Sequence, residues 1–242
     1  MRRFLFILVL SLVASLPARA GGPEIEYAYP DQSVWTAELD AQGNPANPLL
    51  KVAKVLFAEA GIPWHGVPYP ASRMFNRIKT GASQFSMLVP APALTECCLT
   101  GKAPVAHTEL KVFWLGDVPP IRRKEDLAGK SVIVIHGYSY GDLAPFLNDA
   151  ANGVQRSTVG THKSAFTMLE HGRADYLLDY SGPAEEILAG RPIAGIRSAT
   201  LADVNVYLVL SRTYPGAEQV MARLEAIAQR LDTKRIMRGP AP

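Results

Sequence analysis

The sequence predicts an α/β protein of two similar lobes, each a mainly parallel sheet flanked by helices, joined by a two-strand hinge. Three observations carry this. First, Phe75-Asn76-Arg77-Ile78-Lys79-Thr80-Gly81-Ala82-Ser83-Gln84-Phe85 and Phe166-Thr167-Met168-Leu169-Glu170-His171-Gly172-Arg173-Ala174-Asp175-Tyr176 repeat one pattern 91 residues apart. Each reads as a helix stopped by a glycine, which tolerates the left-handed backbone of a helix end, followed at once by an apolar strand. Second, the first half reads βαβαβ, the order of a parallel sheet with crossover helices. Third, Glu109–Trp114 reads as a strand leading out of that half and Val204–Leu210 as one that returns to it. Two crossings make a hinge, and a hinge lets a cleft close over a ligand.

In chain order, Glu24–Tyr29 is a strand and the segment from Pro30 to Trp35 is the loop leaving it. Gln42–Pro48 is a turn cluster, after which Leu49, Leu50, Val52, Ala53, Leu56 and Phe57 recur at helical spacing until Gly61. Ile62–Val67 is the next strand, and Ser72 is read as the cap of the helix ending at Gly81. In the second half, Ser131–Ile135 is a strand, His136–Gly141 its turn, and a helix begins near Asp142. Pro215 opens an amphipathic helix whose Val220, Met221, Leu224, Ile227 and Leu231 are expected to pack on the first lobe. The reading assigns residues 21–112 plus 208–242 to lobe 1 and 113–207 to lobe 2.

Residues 1–20 read as a signal peptide: basic Arg2 and Arg3, an apolar run from Phe4 to Leu16, and Ala18-Arg19-Ala20 as the cleavage site. The expected location is therefore the periplasm. No other segment approaches the about 20 apolar residues of a membrane span, so no stable membrane insertion is expected. Without Arg2, Arg3 and Arg19 the chain carries 22 basic and 22 acidic residues. Such a balance gives no electrostatic reason to expect nucleic acid as a partner.

Cys97 and Cys98 are the only cysteines, and neighbours cannot cross-link the fold. They are candidates for a vicinal disulfide shaping a loop, or for two small side chains packed in it. The five histidines form no pair at metal-ligand spacing, so neither a metal nor another cofactor is expected.

The order of several short motifs resembles the family 3 extracellular solute-binding proteins, the periplasmic receptors of ABC importers. The matching stretches are Gln42-Gly43, Tyr69-Pro70-x-x-Arg73, Glu125-Asp126-Leu127-x-Gly129-Lys130, Gly137-Tyr138-Ser139-Tyr140-Gly141 and Met168-Leu169-x-x-Gly172-Arg173-x-Asp175. The resemblance covers nearly the whole chain after residue 20. It implies the type II periplasmic-binding fold, a monomer, and a small polar or anionic solute delivered to an ABC permease or membrane sensor.

The site departs from the family. The arginine that grips a ligand carboxylate would fall near Thr95-Glu96-Cys97-Cys98, where the nearest cation is Lys102, a point charge without the bidentate fork. The family's acid for a ligand amine maps to Tyr180, with Asp179 one residue short. A one-residue offset in a strand reverses the face, so Asp179 is a candidate only at the strand end. The remaining ligand-binding candidates are Ser139 and Tyr140 at a strand-to-helix turn, Arg73 at a helix start, Trp35 and Tyr138 as stacking rings, and the Thr161 hydroxyl. No residue is assigned a catalytic role. A lyase or dehydratase using His136 and Asp179, and an accessory protein of a periplasmic redox system, are the alternatives to a binding protein.

Overall fold

Residues 22–31, 47–138, 140–141 and 143–238 are described by a computed structural model of the protein. The first half runs β1 (Ile25–Pro30), α1 (Pro48–Ala60), β2 (Trp64–Tyr69), α2 (Ala71–Thr80) and β3 (Phe85–Leu88). Strand β1 pairs in parallel with both β2 and β3, as the βαβαβ reading requires. Local chemistry sets the helix limits. At the start of α1 the Asn47 side chain accepts hydrogen bonds from the Leu49 and Leu50 amides at 2.9 and 3.4 Å, Pro48 fills the first turn, and Gly61 ends the helix at φ 61°. Helix α2 starts two residues earlier than expected: Pro70 precedes it without a side-chain cap, and Ser72 lies inside the first turn.

Two further strands, β4 (Cys98–Thr100) and β5 (Ala106–Trp114), lead to the second half. That half contains β6 (Ser131–Ile135), α3 (Leu143–Asn148), β7 (Gln155–Val159), α4 (His162–Glu170), β8 (Tyr176–Tyr180) and α5 (Ser181–Gly190). The chain returns through β9 (Arg197–Ser211) and ends in α6 (Ala217–Ala228) and α7 (Thr233–Arg238). Strand β6 is parallel to β7 and β8, while β5 is antiparallel to β8 and β9. The beginning of β9 pairs with β5 and its end with β3 and β4, giving the order β2-β1-β3-β9-β5-β8-β6-β7. A parallel set thus stands on each side of one antiparallel pair, and this is the two-lobed α/β architecture.

Each side has its own core. In the first lobe Tyr27, Leu56, Phe57, Phe85, Leu210 and Leu224 form one cluster, which includes the inward face of α6. Under α2, Met74, Ile78 and Val209 form another. In the second lobe the sheet separates two clusters. Along β8, Tyr176 and Leu178 face one and Leu177 faces the other, the alternation a pleated strand imposes.

A polar knot ties α2 to β1. Arg77 Nη2 lies 3.0 Å from Glu26 Oε1, the Tyr69 hydroxyl donates to the same oxygen at 3.1 Å, and the Ser83 hydroxyl donates to it as well. Burial pushes the Glu26 carboxyl up, but the hydrogen bonds from Ser83, Arg77 and Tyr69 outweigh it and hold the group below its ordinary value. A carboxylate depressed in the folded state adds stability above its unfolded pKa and loses it as pH falls through the folded one. Glu26→Gln is therefore expected to cost about 1–3 kcal/mol at pH 7. That deficit should shrink in acid, with urea unfolding at pH 7 and at about pH 3 as the check; a deficit independent of pH would exclude the charge as its source.

Candidate functional site

Strand ends build the site. The C-terminal ends of β1 and β3 in one lobe and of β6 and β8 in the other face each other, which is where open parallel sheets place ligands. Between them lies a cavity of about 220 Å³. Tyr29, Met74, Phe75, Met87 and Leu88 form its wall in the first lobe, and Tyr138, Tyr180 and Ser181 form the facing wall. Ala106, His107 and Thr108 of β5 and Val206 of β9 form the floor. The Ser181 hydroxyl, at the start of α5, accepts a hydrogen bond from the Glu109 amide at 3.2 Å and lies 3.3 Å from the Thr108 hydroxyl. These contacts fasten α5 to the crossing strand.

The lobes touch above this floor. Gly137, in the turn after β6, has φ 79°, and a Cβ there would lie 2.8 Å from Ala71 Cβ and 3.0 Å from the Ser72 nitrogen at the start of α2. Glycine is required twice here, by the left-handed backbone and by the approach of the opposite lobe. Gly141, at φ 54°, leaves ordinary room, since the nearest atom to its added Cβ would be Val89 Cγ1 at 3.7 Å.

Behind Tyr138 stands a buried relay. Its hydroxyl lies 2.9 Å from His162 Nε2, and His162 Nδ1 lies 2.7 Å from Asp179 Oδ2. The Tyr180 amide donates to the other Asp179 oxygen at 2.7 Å. His162 is 1% exposed and Asp179 0%. Burial pushes the Asp179 carboxyl up, against the pull of His162. Burial, with the Asp179 charge behind it, pushes the Tyr138 phenol well above its ordinary value, so the phenol stays protonated at neutral pH. The rings of Tyr138, Tyr140 and Tyr180 pack together with centroids 5.7–6.2 Å apart.

Of the residues singled out in the sequence, Tyr138 lines the cavity. Tyr140 is buried beside it at φ 50°; its hydroxyl accepts from the Ile135 amide at 2.6 Å and donates to the Leu178 carbonyl at 3.4 Å. Asp179 faces α4 instead of the cleft, because strand alternation continues to the end of β8 and turns Tyr180 to the cleft side. Thr161 caps α4, its Oγ1 accepting from the Ser164 amide at 3.1 Å. Arg73 is exposed, with its guanidinium carbon 5.5 Å from the centroid of the Tyr69 ring, and does not line the cavity. Trp35 and Ser139 lie outside the described residues.

Cys97 and Cys98 stand as two free thiols with Sγ atoms 2.9 Å apart, beyond the roughly 2.05 Å of a disulfide bond. Cys98 is buried against α2 with its thiol pushed up to about 12 by burial and by its neighbour. Neither cysteine is among the residues that line the cavity, although Cys98 packs in one cluster with Met74 and Leu88, which do. Among the described residues no three histidine, cysteine or acidic side chains gather as metal ligands, and no helix is long and apolar enough to cross a membrane.

Sequence reasoning missed Tyr29, Met87, Leu88 and Ser181. Their shared signal is position, since each lies at or beside the C-terminal end of a strand of the parallel sets. Two α/β lobes, a double antiparallel crossing and a cavity between strand ends define the fold of the periplasmic binding proteins.

Solved structures share that fold. An ancestral arginine-binding protein bound to arginine superposes with a TM-score of 0.71 at 15% identity, over 89% of this chain and 96% of that one. A histidine kinase sensor domain with similarity to periplasmic binding proteins gives 0.73 at 18%, over 88% and 92%. The substrate-binding protein of an amino acid ABC transporter gives 0.68 at 11%, over 89% and 96%. No protein-family model matches the chain, and no curated protein matches it.

Proposed function

We propose that the protein is a periplasmic solute-binding protein that closes its lobes on a small polar solute and presents the closed form to an ABC permease or a membrane sensor. One observation carries the reading: a cavity of about 220 Å³ is walled by both lobes and floored by the two strands that join them, with the lobes in contact at Gly137. A pocket so placed changes shape when the hinge moves, which couples ligand to conformation. The fold it shares with an arginine-bound protein, an ABC substrate-binding protein and a kinase sensor domain supports a binding role and either kind of partner. Residues 21–112 plus 208–242 and residues 113–207 serve as the two moving bodies, and residues 1–20 as the export signal.

Within the site, Tyr138, Tyr180 and Ser181 contact the solute. His162 and Asp179 act through Tyr138 by holding its hydroxyl. Small-angle X-ray scattering checks the closure. A solute that raises the melting temperature is expected to reduce the radius of gyration; stabilisation with an unchanged scattering curve would count against closure on the ligand.

A further inference from the structure

We infer that the cleft selects an uncharged solute with an aromatic or branched hydrocarbon body and one hydrogen-bonding group, and rejects zwitterionic amino acids. The inference rests on the solute-binding reading and concerns how the solute is polar: through a hydroxyl or amide, not through charge. Among the described residues, the cavity lining contains no lysine, arginine, aspartate or glutamate. The segment 32–46, which follows β1, contains no lysine or arginine either; its charged residues are Glu38 and Asp40. Arg73, the guanidinium the sequence offered for the cleft, is exposed and lies over the Tyr69 ring. The nearest carboxylate behind the wall, Asp179, has no exposed surface and is bonded to His162 and to the Tyr180 amide.

A zwitterion entering this space would lose the hydration of two charges, and its carboxylate would meet no lysine or arginine among the described lining residues; Asp31, whose charge acts on the Tyr138 phenol, stands outside that lining. An apolar body meets the reverse situation. Tyr29, Phe75, Tyr138 and Tyr180 offer rings that pack by face or edge, and Met87 and Leu88 close the gaps between them. The hydroxyls of Thr108 and Ser181, 3.3 Å apart at the floor, suit one neutral hydrogen-bonding group. Size agrees, since an apolar cavity of about 150 Å³ holds a benzene ring, and the cleft measures about 220 Å³.

The test holds the ring constant and changes only charge. Calorimetric titration of the purified protein with 2-phenylethanol, 2-phenylethylamine, phenylacetate and L-phenylalanine is expected to show 2-phenylethanol binding at least 10-fold more tightly than each charged relative. Tyr180→Ala should weaken 2-phenylethanol at least 10-fold; unchanged affinity would place the ligand outside this cleft and overturn the inference. Tighter binding of phenylacetate would show that a positive group reaches the cleft, and tighter binding of 2-phenylethylamine would make Asp31, just past β1, the partner of its ammonium. Either result overturns the uncharged class. So does tight binding of L-phenylalanine, L-arginine or L-glutamine, although the solute-binding reading would then stand. If none of the four phenyl compounds binds, the ligand class falls, and a hit elsewhere in a wider metabolite panel keeps the solute-binding reading.

Discussion

Asp179→Ala is expected to destabilise the protein by about 3–5 kcal/mol, the cost of removing one partner from a buried charged or hydrogen-bonded pair. The change leaves His162 Nδ1 and the Tyr180 amide without acceptors, at sites where water does not replace them. Asp179→Asn keeps the shape and one acceptor oxygen, so its deficit should be smaller. A double-mutant cycle with His162→Ala, measured by urea unfolding, should give a coupling energy of about 1–3 kcal/mol, because the two side chains touch and share a network. A loss below about 1 kcal/mol for Asp179→Ala would show that the relay adds little and that Tyr138 is held by ring packing alone.

Gly137→Ala is expected to weaken solute binding by about 10- to 100-fold, because only the fraction of molecules able to close can bind tightly. Its Cβ would stand 2.8 Å from Ala71 Cβ across the lobe contact. The substitution also strains a left-handed backbone, at about 1–2 kcal/mol, and that effect must be separated from the clash. Gly141→Ala does so: it has the same kind of backbone, φ 54°, but only ordinary contact with Val89. Both variants should lose similar stability, while Gly137→Ala alone loses affinity and the compaction seen by scattering. Equal affinities for the two would remove the Gly137–Ala71 contact from the closed state.

The periodic and punctuated parts of the fold were legible in sequence. Gly81 and Gly172 end their helices at φ 76° and 61°, and the duplicated helix-glycine-strand unit stands once in each lobe. Strand β7 was not legible, because Gln155–Val159 is a polar, largely exposed strand at the last position in the sheet order, with no apolar alternation to mark it. Helix α5 was hidden by its opening Ser181-Gly182-Pro183, which reads as a turn although proline suits the first turn of a helix. Charge placement was legible only in part. That Thr95-Glu96-Cys97-Cys98 contains no arginine is plain in the sequence, whereas the face of Asp179 depended on where β8 ends and on the packing of His162 from α4. The cleft itself is assembled from strand ends far apart in the chain, so its apolar character emerges only with the register of the sheet.

The proposed function requires first of all that the cleft bind a small solute. The most direct measurement is a thermal-shift screen of the purified protein against amino acids, organic acids, polyamines, sugars and neutral aromatic alcohols. A ligand present at about 100 times its dissociation constant adds about 2.7 kcal/mol of stability, which for a chain of this size raises the melting temperature by about 5–10 °C. One chemical class of stabilising compounds is the predicted result. An unchanged melting temperature across the whole panel would contradict solute binding, and would leave a protein that keeps the two-lobed fold for contact with a partner.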